Sequence, residues 1–351
     1  MDFFTGRECR HQAAAQGAEA ARLTRFQRKP GSPGFFTSWG KDMSKRSTPR
    51  YRFAPAPELA AKRVRLTPDP VESYEDRTGY DPQFIDASLS VALPRLGAAA
   101  KRDAVSFDWK GEKTHVLTYT HFSTAVSRSR RMPIFSACNI NGSAAKTIPR
   151  TDIWKFDPRI PQQYQMLKEV YGNQKDGYFS RGHMTRRQDP DWGAKFVATR
   201  ADADTFHATN AAPQVQSFND GLWGGIEDYV LGNTKTDSMR VSVFTGPVFA
   251  ATDPVVHAVK VPVRFWKIVA FVHDETGALT ATGYLASQAK AVADLKPAFV
   301  FGDFEHQQRP LAAIEAMTGL KFPDLTPHDV LAGAGVNFAA ALRDVRDIML
   351  A

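Results

Sequence analysis

Cysteine is scarce in this 351-residue chain, which carries only Cys9 and Cys138. Two cysteines make neither a disulfide framework nor a four-cysteine zinc site, and they leave room for one bridge at most. Long apolar runs are also missing. No stretch approaches the roughly 18 apolar residues that a membrane span needs. Neither the first twenty residues nor those after Met43 contain the apolar core of a secretory signal. The expectation is a protein with no membrane association, either cytoplasmic or exported by a non-classical route. No internal repeat is visible. What is present has the composition of a globular protein, 43% hydrophobic and 11% aromatic, with length for one large or two ordinary domains.

The net charge of +8 is unevenly placed. Residues 1–66 hold 14 Lys and Arg against 5 Asp and Glu, whereas the other 31 basic residues face 32 acidic ones. The basic character therefore belongs to a leader that is also rich in Ala, Gly, Ser and Pro. It reads as a disordered arm with a short helix around Ala13–Leu23, solvated or adding non-specific affinity for polyanions. The remaining body is near neutral, so an anionic substrate must be attracted by individually placed cations.

The most informative stretch runs from Tyr178 to Gly193, with Ser180-Arg-Gly-His183 at its centre. Histidine accepts a proton from water near neutral pH. Arginine grips a phosphate with two donors, and Gly182 lets the backbone approach a ligand. Together these suit phosphodiester chemistry. Two segments follow: Asn210-Ala-Ala-Pro-Gln214, then Asn219-Asp-Gly-Leu-Trp223 with Glu227 four residues on. In these three elements, their order and their spacing, the chain resembles the DNA/RNA non-specific endonuclease family, the sugar-non-specific nucleases with a ββα-metal site. The resemblance covers about residues 75–325, including the lead-in Arg77-Thr-Gly-Tyr-Asp81. The family motif opens on Asp where this chain has Ser180, which bears on support around the site and on substrate preference, not on the reaction class.

The resemblance implies an α+β fold, a central antiparallel sheet flanked by helices with the ββα-metal motif set into it. The nuclease domain is expected over 67–351, with residues 326–351 adding one or two Ala-rich terminal helices. Residues 67–100 read as a turn-rich ribbon anchored by Tyr80, Phe84 and Leu93. Strands are expected over Thr114–Ser123 and Pro133–Ile140, then Arg240–Phe249, Val263–Val272 and Leu279–Ala286, the last two joined through Asp274–Gly277. Helices are expected at Gln163–Tyr171, at Asp191–Thr199 with Asp189 as N-cap, and at Arg309–Met317 closed by Thr318-Gly319. The ββα motif would be a strand Tyr178–His183, a strand Thr205–Asn210 and a helix Gln214–Leu231 ended by Gly232-Asn233. On one helix, Asn219, Trp223 and Glu227 fall within roughly 80° of one another at about 100° per residue.

His183 is the expected general base. Asn219 is the expected ligand of one Mg²⁺, with Mn²⁺ as a substitute, because an amide oxygen is a hard neutral donor and Mg²⁺ keeps most of its waters. Arg181 would hold the phosphate. Asn210 would position substrate or water. Glu227 rises about 12 Å along the helix from Asn219, too far for shared coordination, and the resemblance implies that it orients a metal-bound water. Arg131, Arg186 and Arg187 are expected at flanking phosphates. The family also has a substrate-binding arginine upstream of the motif, for which Arg150 and Arg159 both stand. His207, Trp192 and Trp223 read as structural. The expected activity is metal-dependent hydrolysis of DNA and RNA with little sequence specificity. The alternatives are an exonuclease or single-strand-preferring nuclease, or a catalytically weak nucleic-acid-binding protein. The expected partner is nucleic acid, with a homodimer and an inhibitor or immunity protein left open.

Overall fold

In the computed structural model, residues 64–65, 67–173, 176–219, 222–293 and 306–349 are described. The expected leader helix and Cys9 lie outside them. Ten strands organise the site: β1 (Leu117–Thr118), β2 (Phe122–Val126), β3 (Pro133–Asn141), β4 (Ser180–His183), β5 (Ala211–Gln214), β6 (Arg240–Val248), β7 (Arg264–Val272), β8 (Leu279–Ser287), β9 (His306–Arg309) and β10 (Ala340–Leu342). Eight of them form one antiparallel sheet in the order β10-β9-β8-β7-β6-β3-β2-β1. The other two, β4 and β5, pair only with each other. Four helices matter here: α1 (Lys195–Thr205), α2 (Gln216–Asn219), α3 (Leu222–Thr236) and α4 (Leu311–Thr318). The α+β class and the central antiparallel sheet are therefore as expected.

The central strands are buried on both faces, and side-chain alternation divides their residues between the two, in three apolar clusters. Trp266, Ile268 and Ala270 of β7 join Phe244 of β6 and Leu285 of β8 on one face. That face is covered by Tyr80, Ile85 and Val91 of the lead-in ribbon and by Leu311 and Ile314 of α4. Phe265 lies on the other face with Trp154, Phe179, Met184, Phe206, Phe218 and Trp223, so the ββα motif packs there. The ribbon anchors are as expected, and so is the β7–β8 hairpin, whose turn places Gly277 at φ 65°. Helix α4 closes on Gly319 at φ 69°, the left-handed C-cap that glycine adopts without strain. Cys138 is a free thiol buried in β3.

Several boundaries differ from expectation. Val64–Arg65 is not disordered but pairs in parallel with Trp154–Lys155. The helix expected over Gln163–Tyr171 is a single 3-10 turn at Gln162–Tyr164. Gln165 breaks it: its side chain accepts from the Asp157 amide and donates to the Asp157 and Ile160 carbonyls. The helix expected at Asp191 begins only at Lys195. Trp192 stacks on His121 at 3.4 Å and donates through Nε1 to the Asn139 carbonyl, which holds this stretch out of a helix. The expected strand Thr205–Asn210 is the end of α1 and a 3-10 turn, and the strand comes next, as β5. Of the expected helix Gln214–Leu231, residues 216–219 and 222–231 are helical and residues 220 and 221 lie outside the described residues; the far end differs, because α3 runs through Gly232 to Thr236. The expected terminal helices are turns, β10 and a 3-10 turn at Val345–Asp347, the last capped by Asp344. Among the described residues no helix is long and apolar enough to cross a membrane.

Phe244 is fully buried between Tyr80 and Phe322. Phe244→Ala should therefore lose about 3–5 kcal/mol of stability in urea denaturation. A loss under about 1 kcal/mol would show that the ribbon and the sheet do not share one core.

Candidate active site

Strands β4 and β5 place His183 opposite Ala211, Gly182 opposite Ala212, Arg181 opposite Pro213 and Ser180 opposite Gln214. Alternation puts Arg181 and His183 on one side of the ribbon. Gly182 is needed for a reason other than ligand approach: a Cβ there would lie 1.9 Å from Oε1 of Gln214. The missing side chain is the space that Gln214 fills. Ser180 donates from Oγ to the side-chain oxygen of Gln216, tying β4 to α2.

The His183 imidazole sits in an aromatic frame. Its centroid is 4.8 Å from that of Trp154 and 5.1 Å from that of Phe206, edge to face with the latter. Its Nε2 is buried and has no hydrogen-bond partner among the described residues. Burial pushes its pKa down to about 3, with the Arg150 and Arg187 charges adding to the shift and Asp152 opposing it. The ring is thus held neutral with a free nitrogen. Arg181 donates from Nε to the Leu167 carbonyl at 3.0 Å and lies over Tyr171 and, at 5.9 Å, over Trp154. Arg150 lies 5.5 Å over Phe206, the ring that also meets His183, and pairs with Asp152.

The two upstream arginines separate clearly. Arg159 is buried against Asp157, to which it donates from Nε and NH2, and it stacks over Tyr74 and Tyr119. It is structural. Arg150 is half-exposed beside His183.

Other expected site residues turn out to be engaged elsewhere. Asn210 is fully buried, and its amide is committed to the backbone: Oδ1 accepts from the Thr185 amide, and Nδ2 donates to the Thr185 and Thr205 carbonyls. It positions the chain leaving His183, not substrate or water. Arg187 was expected at a phosphate. It points inward, paired with Asp202, 3.9 Å from Asp191 and bonded to the Ile148 carbonyl at 3.1 Å. Burial and the Asp202 charge push the Asp191 carboxyl up to about 8 despite Arg187. Arg131 pairs with Glu169 and donates to the Gln165 carbonyl. Arg186 pairs with exposed Asp228. Burial works against the Arg186 charge, but Asp189, Glu227 and Asp228 outweigh it and hold its pKa above the ordinary value. His207 is structural as expected, accepting from Tyr74 through Nε2 and donating from Nδ1 to the Asp204 carbonyl.

Glu227 lies on α3, 3.3 Å from Nζ of Lys267. Asn219 is the last residue of α2, and its side chain lies outside the described part of the structure. Residues 220 and 221, between Asn219 and α3, lie outside the described residues as well. Among the described residues, no three of His, Cys, Asp and Glu converge closely enough to hold a metal ion. A cage of charged ligands is not what these residues offer. A hydrated Mg²⁺ takes only one or two protein oxygens, and the Glu227 carboxylate on α3 is a hard oxygen donor of that kind. Sequence reasoning missed the Trp154–Phe206 frame and Lys267. The signal for the second was present, a lysine inside the apolar run Phe265-Trp-Lys-Ile-Val269.

The family model described as DNA/RNA non-specific endonuclease matches residues 100–329. An uncharacterized protein y4fB of Sinorhizobium fredii is 36% identical over 320 residues, 84% of this chain and 46% of that protein. Mitochondrial endonuclease G of Bos taurus is 30% identical over 169 residues, 45% of this chain and 50% of that one. The mitochondrial nuclease EXOG of Homo sapiens is 30% identical over 135 residues, 38% and 34% of the two chains. The chain spans about half the length of the curated relatives it matches. A crystal structure of an EndoG/EndoGI complex aligns with 60% of this chain and 86% of its own, at 23% identity and a TM-score of 0.46.

Replacing Asn210 with Ala leaves three buried backbone groups without partners, so it should cost about 3 kcal/mol of stability, measured by thermal or urea unfolding. Lost nucleic-acid cleavage at unchanged stability would show that the amide serves a substrate instead.

Proposed function

The chain belongs to the DNA/RNA non-specific endonuclease family, and from that membership we propose that it hydrolyses phosphodiester bonds of DNA and RNA with little sequence preference, in a metal-dependent reaction. The observation that carries this reading is the His183 imidazole, neutral, with a buried Nε2 that has no hydrogen-bond partner among the described residues, beside the cations Arg150 and Arg181. A neutral histidine with a free nitrogen is a general base awaiting a proton donor. His183 takes a proton from the attacking water. The water oxygen bonds to phosphorus as the bond to the 3′-oxygen breaks, the leaving oxygen takes a proton from solvent water, and His183 returns its proton to solvent. Arg150, half-exposed and adjacent, grips the phosphate, and Arg181, tethered to Leu167, supplies a second fixed positive charge. Asn219 would hold a Mg²⁺ ion, with Glu227 as acidic partner, and the ion would supply Lewis-acid stabilisation of negative charge developing in the reaction. Contacts of these kinds address phosphate and not base edges, which suits sugar and sequence tolerance.

His183→Ala should lower kcat by about 10²–10⁴-fold on closed circular DNA and on RNA, with the fold retained by circular dichroism, and EDTA should stop the unaltered protein. Undiminished cleavage by the folded variant would reject His183 as the base. Loss of linear ends with closed circles left intact would favour an exonuclease.

The pH dependence has a definite sign. Burial and Arg150 disfavour the imidazolium, so the base form persists below the ordinary histidine value of 6.5. The acid limb of kcat/KM should therefore fall well below pH 6.5 in the free enzyme. An apparent pKa at or above 6.5 would contradict the geometry around His183.

A further inference from the structure

Lys267 lies near the middle of β7, between Trp266 and Ile268, with a side chain only 2% exposed. A buried ammonium is costly unless it is paired and hydrogen-bonded. This one has three engagements. Nζ donates to Oγ1 of Thr245, directly opposite on β6, at 2.8 Å. It lies 3.3 Å from Oε1 of Glu227 and 5.0 Å from the centre of the Trp223 ring. Trp223 and Glu227 are one helical turn apart on α3, so they share a face of that helix. One ammonium therefore engages both, and a cation over an indole face is itself attractive. Glu227 is 15% exposed: it is held at the boundary between the sheet and the solvent-facing side, not sunk into the core.

Apolar packing would hold α3 on the sheet without a charge, since buried ion pairs are often matched in stability by hydrophobic residues of similar volume. An ammonium instead fixes where a carboxylate sits. The other groups around Glu227 do not do this from below. Arg186 faces it but is bonded to exposed Asp228, and Asp189 is another acid.

We propose that Lys267 is a positioning residue of the metal site, anchoring Glu227 from the sheet through its ion pair and orienting α3 through Trp223. The inference rests on the nuclease reading and deepens it. The engagement of Lys267 by Thr245 makes it a rigid anchor in place of a flexible surface partner.

The test uses the full chain and reads Mg²⁺ binding by isothermal titration calorimetry before any turnover, alongside kcat, KM for nucleic acid and the melting temperature. Lys267→Met should weaken Mg²⁺ binding by about 10–100-fold, the usual cost of removing a partner behind a metal site, with KM for nucleic acid nearly unchanged. In a Glu227→Gln background the same substitution should change Mg²⁺ affinity by less than about twofold, because the coupling runs through the carboxylate. A lowered melting temperature with unchanged Mg²⁺ affinity overturns the proposal and leaves a purely structural lysine. Independent, multiplicative losses in the double variant also overturn it. Where Lys267→Met does not fold, Thr245→Val removes the hydroxyl that holds the ammonium. It should weaken Mg²⁺ binding in the same direction by a smaller factor, and unchanged affinity there is equally fatal. If the unaltered protein neither binds Mg²⁺ nor cuts nucleic acid, the nuclease reading falls and takes this proposal with it. If it does both and Lys267→Met matches it, only this proposal falls.

Discussion

A charge removed from water must be paired, and this protein is shaped by how it meets that constraint. The face of the sheet beneath the ββα motif is dry and aromatic, yet ionised groups are set around it. The cations with little exposure beneath and around it are matched: Lys155 by Asp69, Arg159 by Asp157, Arg187 by Asp202, Lys267 by Glu227. Two arginines near His183 are solved differently. Arg181 is partnered by a carbonyl and two aromatic rings. Arg150 stays half-exposed, with a single carboxylate two residues away. The cations paired inside hold the chain or a partner side chain in place. Those left incompletely neutralised stand beside the imidazole, where the substrate of the proposed reaction would complete them.

Arg187 shows how a structural pair reaches the site without touching it. It bonds to the Ile148 carbonyl while holding Asp202, so the segment that carries Arg150 is pinned two residues away. The Lys146 amide donates to the Asp191 carbonyl and fastens the same segment again. The Asp191 carboxyl, pushed up to about 8 by burial and Asp202, is favoured in its protonated form at neutral pH. A raised carboxyl pKa stabilises the fold at low pH and costs stability as pH rises through the folded value. The stability that the neutral carboxyl contributes is therefore lost as pH rises from the ordinary value of 3.8 to about 8.

The sheet was largely legible in the sequence because its signal is local and repeated. Three long strands of apolar, β-branched residues bounded by turn residues admit few other readings, and Thr318-Gly319 marks a helix end by itself. The motif residues were legible as a set through resemblance. What failed was local grammar overruled by distant contacts. Asp189-Pro190 has the form of a helix start, but both Asp189 and Asp191 are buried and Trp192 is held by His121 and Asn139. Asn210 has the look of a site residue, and only the three backbone groups it serves reveal it as a clamp. Gly182 was given the right importance for the wrong reason, since the space it leaves is taken by Gln214. No periodicity or propensity encodes such facts. They depend on which segments meet.

The environment of His183 also explains how a base with so low a proton affinity serves hydrolysis. The imidazole is kept neutral by burial and by Arg150, so in the free protein it is a weak base. In the proposed reaction a phosphate enters beside Arg150, and its negative charge offsets the positive one. The electrostatic part of the shift is then reversed, because a nearby anion favours the imidazolium. Exclusion of water by the bound chain strengthens the same interaction. The histidine becomes a stronger base where and when the water it must deprotonate lies next to a phosphorus atom. In the proposed reaction Arg150, which adds to the effect of burial in lowering that basicity, thus couples it to substrate, and a near-neutral protein body needs no general positive field to achieve it.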